Sequence, residues 1–206
     1  MSVPFRLYVV AEGKTARDEV VLLAAKARDR IAVYWRQPTA DDLPSLPDSL
    51  RAFETPLFVK ESDLAAWPRL RGPGGAAGVH LKFDSATTAV SLRARFARPI
   101  SIARSVHTKK EAVRALGDGV DLLVFGNVYE TPSKAGAPGR GVDALREICE
   151  AAGKIPVFAL GGITPERIPE VRAAGASGVA TMRGLLGGRE ARDTLEAWLQ
   201  ALAVPA

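Results

Sequence analysis

Short runs of apolar residues alternate along the chain with longer stretches in which apolar and polar residues recur at helical spacing. This alternation is typical of a parallel sheet whose strands are joined by crossover helices. We count eight apolar runs and predict a strand for each: Phe5 to Val10, Ile31 to Trp35, Leu57 to Lys60, Gly78 to Leu81, Ile100 to Arg104, Asp121 to Phe125, Pro156 to Leu160, and Gly178 to Met182.

Helix signals lie between these runs. Thr108 and Glu111 have the spacing of a capping box, which predicts a helix that begins there and ends near Gly117. Pro165 suits a first helical position, and Pro169 implies an irregular first turn. Near the C-terminus one helical face repeats large apolar residues, which predicts packing against the barrel wall: Leu195, Trp198, Leu199 and Leu202.

Eight strand and helix units in 206 residues predict a (β/α)8 TIM barrel, an α/β fold, as a single domain over residues 1–206. The alternative is a doubly wound open sheet. The proline-containing segment 37–52 is a poor helix until its end, and 71–75 is a loop, so the second and third units are expected to be degenerate.

Composition narrows the class of protein. No apolar stretch is long enough to span a membrane, and the N-terminus lacks a signal core, so we expect a cytoplasmic protein without a membrane partner. Cys149 is the single cysteine and is interpreted as a core residue. The net charge is +5, with basic residues spread along the chain, which favours an anionic ligand and argues against a nucleic-acid surface.

In such a barrel the loops after the strands build the site. Gly161 and Gly162 follow the seventh strand, and Arg183 and Gly184 follow the eighth, where glycine lets backbone amides approach a phosphate. The alternative interpretation is two tight turns without a ligand. Because barrels often bind phosphate in these two loops, we expect a phosphate site there.

Further candidates follow the strands in the middle of the chain. The loop after the sixth strand carries Thr131, Ser133 and Lys134, which could hold an anion, and Glu130, its nearest carboxylate. His80 and His107 are the two histidines; either could transfer a proton, although a structural role is the commoner one. No zinc motif, Walker-type phosphate loop or nucleophile elbow is present.

Four segments carry a family resemblance: Ala103 to His107, Phe125 to Thr131, Gly139 to Gly141, and Ala159 to Pro165. Together they closely resemble the TenI and thiamine phosphate synthase superfamily. The resemblance is strongest over residues 100–188 and implies a (β/α)8 barrel, a small phosphorylated heterocycle as ligand and a homodimer. The elements around Ser105, His107 and Glu130 look more like the TenI branch, a thiazole tautomerase and therefore an isomerase.

The resemblance implies two possible reactions, and binding without catalysis is a third alternative. TenI aromatises a thiazole phosphate carboxylate tautomer by moving a proton, without a metal or other cofactor. Thiamine phosphate synthase instead joins a pyrimidine pyrophosphate to thiazole phosphate with Mg²⁺. The third alternative is a catalytically silent barrel that binds thiazole phosphate or thiamine phosphate.

Departures from both patterns decide the order of these hypotheses. At the second strand the synthase has Arg-x-Lys, whereas here Pro38 follows Arg36 at that spacing. Lys60 and Glu61 stand where its third strand ends in Asn-Asp, and Asp84 lies one place early for its second metal ligand. A lysine beside this position would oppose Mg²⁺. We therefore rank the tautomerase first, with no metal site, and the synthase second.

The tautomerase pattern has its own departure. Asn127 occupies the position of the histidine that acts as acid and base in TenI. An amide orients a substrate but does not carry protons at neutral pH. By position, His107, Glu130 and Lys60 are the candidate substitutes, and Arg36, Ser105 and Arg183 are expected to contribute to binding of the phosphorylated ligand.

Overall fold

The computed structural model describes residues 3–12, 17–36, 45–132, 136, 138–186 and 191–203. Eight parallel strands close into a barrel in sequence order, with β1 paired to both β2 and β8. The strands are β1 Leu7–Glu12, β2 Ile31–Arg36, β3 Leu57–Lys60, β4 Gly78–Leu81, β5 Ser101–Val106, β6 Leu122–Gly126, β7 Val157–Leu160 and β8 Gly178–Thr181. The predicted (β/α)8 barrel is therefore confirmed, and the open sheet is excluded.

Helices follow the strands and surround the barrel. They are α1 Arg17–Ala27, α2 Leu46–Ala52, α3 Asp63–Ala66, α4 Ala89–Arg93, α5 Lys109–Gly117, α6 Gly141–Ala152, α7 Ile168–Ala173 and α8 Ala191–Ala203. The helices α2 and α3 are short, as predicted for the second and third units. The helix α4 is short as well, which the sequence pattern did not predict. Among the helices of the described ranges, none is long and apolar enough to cross a membrane.

The predicted helix signals are confirmed. The Thr108 hydroxyl accepts the backbone N–H of Glu111 and caps α5, which ends at Gly117. Residues Pro165–Arg167 form a 3₁₀ turn before α7, because Pro169 disfavours a regular first α-helical turn. The four large residues of α8 are buried, and Leu195 and Trp198 belong to the core between helices and strands.

Side chains of the strands alternate between two cores, because successive residues of a strand point to opposite faces. One set packs under the helices. The other fills the barrel interior and includes Tyr8, Tyr34, Phe58, Val124 and Phe158. Aromatic rings dominate the interior, with Tyr8 and Phe58 edge to face at 5.2 Å between centroids. The barrel is thus a packed core that opens at the carboxyl ends of its strands.

Cys149 is half-buried on α6 and packs against the outer core. Burial raises the pKa of its thiol to about 11, with a smaller contribution from Glu150. The thiol therefore stays protonated at neutral pH, in keeping with its interpretation as a core residue.

Candidate functional site

A cavity of about 650 Å³ opens at the carboxyl ends of the strands. This volume lies within the range of small-molecule sites. Its floor includes the inward-facing residues Tyr34 and Val124. Its walls come from the last residues of β2 and β3 and from residues that follow β4, β5, β6, β7 and β8.

Three cations reach the cavity because they continue the inward-facing rows of the strands. Tyr34, Phe58 and His80 point into the barrel, and the residues two places further along line the cavity: Arg36, Lys60 and Lys82. A fourth cation, Arg183, lies on the opposite wall after β8. Among the described lining residues there is no aspartate or glutamate, so the charge of the cavity wall is positive.

Two consecutive glycines form the turn after β7. Gly161 and Gly162 have φ angles of +100° and +64°, which disfavour residues with a side chain. A Cβ on Gly161 would lie 2.5 Å from the Cβ of Asn127, and one on Gly162 would lie 2.5 Å from the carbonyl oxygen of Glu130. Both positions therefore require glycine for conformation and for space.

The carbonyls of this glycine turn are engaged, and its amides are not. The Gly161 oxygen accepts Tyr129 N at 3.0 Å, and the Gly162 oxygen accepts an Arg167 guanidinium N–H at 2.6 Å. Neither glycine amide donates to another described residue. Arg167 also lies over the Tyr129 ring, 4.4 Å from its centroid. The carbonyl contacts to Tyr129 and Arg167 thus fix the turn, while its N–H groups stay available for an anion at the cavity wall.

On the neighbouring wall the backbone N–H of Gly184 is already used. It donates to the Thr181 hydroxyl at 3.2 Å. A Cβ on Gly184 would lie 2.7 Å from the Trp198 ring, so this glycine has a packing reason to be there. Gly184 lines the cavity, but the amides of Gly161 and Gly162 are the better placed donors.

His80 connects the interior of the barrel to the cavity. Its Nδ1 lies 3.1 Å from the Tyr8 hydroxyl and its Nε2 lies 2.8 Å from the Ser105 hydroxyl, while its ring stacks on Tyr34 at 4.2 Å. Burial lowers the pKa of His80 to about 3, and the nearby Arg36 guanidinium contributes to this lowering. The ring is therefore neutral at physiological pH, which argues against proton transfer by His80.

His107 has its proton position fixed by a backbone carbonyl. Its Nδ1 lies 2.5 Å from the Gly126 oxygen, and because a carbonyl can only accept, Nδ1 carries the proton of the neutral ring. The Glu111 carboxylate accepts the His107 backbone N–H at 2.7 Å and fixes its main chain. The ring lines the cavity, with Nε2 as its proton-accepting atom.

Asn127 lies deep in the cavity wall between β6 and the glycine turn. It is buried, and its amide nitrogen donates to the Tyr129 carbonyl at 3.2 Å. Its backbone carbonyl accepts Arg140 N at 2.9 Å, which ties the far end of the long loop to the strand. Asn127 is therefore held in place as a polar group facing the ligand space.

The structure brings most of the sequence-predicted residues together at this cavity: Arg36, Lys60, Ser105, His107, Asn127, Thr131, Gly161, Gly162, Arg183 and Gly184. The Glu130 side chain is exposed and is not among the lining residues. Ser133 and Lys134 lie outside the described residues. Sequence reasoning missed Lys82, although counting two places beyond His80 would have identified it.

A divalent cation, which the synthase activity implies, does not fit this donor set. Mg²⁺ prefers carboxylate and carbonyl oxygens, whereas lysines occupy the strand ends where it would bind. Glu61 is not among the residues that line the cavity, and its carboxylate accepts hydrogen bonds from the hydroxyls of Ser85 and Thr87, at 3.2 and 2.5 Å. Within the described ranges no cluster of three His, Cys, Asp or Glu residues could hold a metal ion.

Comparison with known protein families and sequences gives a consistent result. Residues 45–185, more than half of the chain, match the TMP-TENI model, described as thiamine monophosphate synthase. The thiamine-phosphate synthase of Methanoculleus marisnigri is 34% identical over 89% of this chain and 88% of its own. That of Thermus thermophilus is 36% identical over 66% of this chain, and the match spans 62% of the relative's length.

Solved structures extend the likeness to the whole fold. Thiamine phosphate pyrophosphorylase from Pyrococcus furiosus superposes with a TM-score of 0.76 at 25% identity, covering 97% of this chain and 96% of its own. A 3-hexulose-6-phosphate synthase gives a TM-score of 0.69 at 16% identity, covering 96% of this chain and 100% of its own, and so shares the fold alone.

Proposed function

The chain belongs to the TMP-TENI family, and from this membership we propose that it binds a thiazole phosphate in the cavity and moves a proton on it as a tautomerase. The family's thiamine-biosynthesis context supplies the substrate class. The choice between the family's reactions rests on this chain's own residues.

The observation that carries the proposal is the contact between His107 and the Gly126 carbonyl. It occupies Nδ1 and leaves Nε2 as the ring nitrogen that can exchange a proton with a substrate, in a cavity whose wall is positively charged. Cations favour removal of a proton from a substrate carbon because they stabilise the negative charge that builds up. His107 takes the proton on Nε2 and returns it to a second carbon, so the ring gains its aromatic form with no net change in atoms or electrons.

The glycine turn supplies the other half of the site. The phosphate binds to the free amides of Gly161 and Gly162, with Arg183 beside it. Asn127 hydrogen-bonds the ring and orients it toward His107. In this assignment Asn127 positions the substrate, and His107 is the catalytic residue.

The test is to incubate the purified chain with the thiazole phosphate carboxylate tautomer in EDTA and to follow aromatisation. We expect acceleration over the reaction without protein, and loss of the acceleration in His107→Gln. Saturable binding of the tautomer without acceleration would reject the tautomerase and identify a silent binder.

The names of the relatives favour a second candidate, thiamine phosphate synthase. In that reaction the thiazole nitrogen attacks the pyrimidine methylene carbon, and pyrophosphate leaves. The absence of a carboxylate from the described cavity lining argues against a magnesium-assisted departure. Formation of thiamine phosphate that depends on added Mg²⁺ would promote this candidate over the tautomerase.

A further inference from the structure

We propose that Arg167 is a positioning residue of the phosphate site, which acts through the glycine turn from outside the cavity. It polarises a peptide group of the turn and adds a positive charge behind it, so that a phosphate monoester binds more tightly. The assignment of the phosphate to this turn rests on the proposed function, whereas the contact between Arg167 and the turn is a feature of the structure.

The position of Arg167 is set by the short 3₁₀ turn Pro165–Arg167, after which α7 begins. Its backbone N–H donates to the Thr164 carbonyl at 3.0 Å, which fixes the main chain. The side chain is exposed and is not among those that line the cavity, yet its guanidinium reaches back to the Gly162 carbonyl at 2.6 Å. Arg167 therefore acts on the turn and not directly on a ligand.

The contact polarises a peptide group whose N–H lies on the other side. The Gly162 carbonyl and the Ile163 N–H belong to one peptide group, and a trans peptide points its N–H opposite to its carbonyl. A charged donor on the oxygen makes that N–H a stronger donor. The Gly161 carbonyl, which accepts Tyr129 N–H at 3.0 Å, is related in the same way to the Gly162 N–H. Two consecutive amides are thus strengthened through their own peptide carbonyls.

The Ile163 amide itself points to a ligand. Ile163 is buried and lines the cavity. Backbone N–H groups of buried residues are paired in the great majority of cases. This one donates to no other residue of the described ranges. An anion at the turn would supply the acceptor, and the amide that would meet it is the one that Arg167 polarises.

Tyr129 holds the guanidinium in place. Arg167 lies over its ring, 4.4 Å from the centroid, and the Tyr129 hydroxyl donates to the Glu170 carboxylate at 2.5 Å. Burial, followed by the contact with Glu170, raises the pKa of Tyr129 to about 12, so the hydroxyl keeps its proton at neutral pH. Among the ion pairs of the described residues none involves Arg167, so its charge is not neutralised by a contacting carboxylate.

The experiment is an NMR titration with thiazole phosphate and with the thiazole alcohol that lacks the phosphate. Arg167→Met keeps an apolar side chain next to the Tyr129 ring but removes the charge and the hydrogen bond. We expect the Kd of thiazole phosphate to rise about fivefold or more, and the Kd of the alcohol to change less than about twofold. This difference between the ligands is the specific readout, because a purely structural role would affect both.

Arg172→Met is the matched control. Arg172 lies on α7, and its guanidinium also donates to backbone carbonyls, those of Ala176 and Ser177 at 3.2 and 2.9 Å. These two residues precede β8, at the opposite end of the barrel from the cavity. The control removes the same charge and the same kind of contact away from the glycine turn. We expect a lower Tm, with the Kd of both ligands changed less than about twofold.

Three results would overturn the proposal: an equal loss for the phosphate and the alcohol, an equal loss in Arg172→Met, or an unchanged Kd in Arg167→Met. Inorganic phosphate is titrated as a third ligand, and Arg167→Met is expected to weaken its binding by a similar factor. If inorganic phosphate binds with that dependence on Arg167 but thiazole phosphate does not bind, the proposed function fails and the role of Arg167 stands.

Discussion

The Nδ1 atom of His107, which directly follows β5, and the carbonyl oxygen of Gly126, the last residue of β6, lie 2.5 Å apart. This hydrogen bond fixes the neutral tautomer and the ring orientation together, so that Nε2 is the basic atom. Since Asn127 follows Gly126 directly, the residue that supports the imidazole is next to the position where the TenI pattern has a histidine. In the proposed tautomerase, proton transfer therefore belongs to the residue after β5 instead of the residue after β6.

The first prediction concerns the substitution of this imidazole. His107→Gln keeps a polar side chain of similar length but removes the basic nitrogen. We expect kcat for tautomerisation to fall by about 10²- to 10⁴-fold, the usual contribution of general acid and base catalysis. KM should change less than about threefold, because the phosphate contacts are intact. Steady-state kinetics would check this, and a kcat within about fivefold of the original would remove His107 from the mechanism.

A second prediction asks whether the position of Asn127 can still carry protons. In the His107→Gln background, Asn127→His introduces an imidazole at the place where the TenI pattern has one. We expect at least about a tenfold recovery of kcat, a fraction of a normal acid-base contribution. In the otherwise unchanged chain the same substitution should give little gain. Failure to recover activity, with tautomer binding retained, would show that this position does not reach the reacting carbons.

The third prediction concerns the pH dependence of folding. The pKa of His80 is lowered from 6.5 to about 3 in the folded chain. Below pH 6.5 the unfolded chain takes up a proton here while the folded chain does not, so stability is lost as the pH falls. The His80 contribution approaches about 1.4 kcal/mol per pH unit between these two values.

Urea unfolding at several pH values would measure this contribution. His80→Phe keeps a ring against Tyr34 and removes the titration. Its free energy of unfolding is expected to be lower near pH 7, because Tyr8 loses its partner, but to fall less steeply from about pH 7 to about pH 5. Parallel pH profiles for the two proteins would contradict the low pKa.

Local sequence pattern was sufficient for the barrel but not for every contact in it. The strands were predictable to within two residues because each is a short apolar run between helix signals. The first strand is shifted, from Phe5–Val10 to Leu7–Glu12, because Phe5 fills the barrel floor without belonging to the paired strand. Lys82 could have been predicted as a cavity residue, because it lies two residues beyond the inward-facing His80 and side chains alternate along a strand.

Contacts between distant strands could not be derived in this way. Tyr8 and His80 are separated by 72 positions, and their hydrogen bond depends on the closure of the whole barrel. The exposure of Glu130 is likewise not evident from its local pattern. Tertiary register therefore decides which polar residues meet, even where the sequence already shows that they lie near strand ends.

The fourth prediction distinguishes a role of Gly162 in phosphate binding from the backbone strain that any side chain causes at positive φ. Gly162→Ala and Gly153→Ala both place a side chain at positive φ, +64° and +58°. Each should lose about 1–3 kcal/mol of folding stability, because both conformations are sparsely populated by residues with a side chain. Only at Gly162 does the new Cβ meet other atoms, the Glu130 oxygen at 2.5 Å and the Tyr129 Cβ at 2.7 Å; at Gly153 it meets nothing within 4 Å.

We therefore expect Gly162→Ala to weaken thiazole phosphate binding by at least about tenfold, because the turn must shift and carry its amides with it. Gly153→Ala should bind normally. Calorimetry with thiazole phosphate, together with thermal unfolding of both variants, would check this. Equal affinities would mean that the glycine turn does not hold the phosphate, and the site would have to be sought beside Arg183 alone.

The last prediction tests the role of Glu61, which stands where the synthase pattern has a metal ligand. Its carboxylate accepts two hydroxyls and lies 3.3 Å from the Arg95 guanidinium. In Glu61→Gln one oxygen becomes an NH₂ donor, so one hydroxyl must turn away. We expect a loss of about 1 kcal/mol of stability, since the Arg95 pair is partly exposed and contributes little.

The same variant should leave pyrophosphate affinity and turnover unchanged, with or without Mg²⁺, because the carboxylate is bound to Ser85, Thr87 and Arg95 and does not line the cavity. Asp29→Asn is the matched control, an exposed carboxylate just before β2 that is expected to alter neither stability nor binding. If instead Glu61→Gln abolished a Mg²⁺-dependent activity, Glu61 would have to turn inward when the substrate binds. Lys60 would then be part of a metal-dependent diphosphate site, and the synthase reaction would replace the tautomerase.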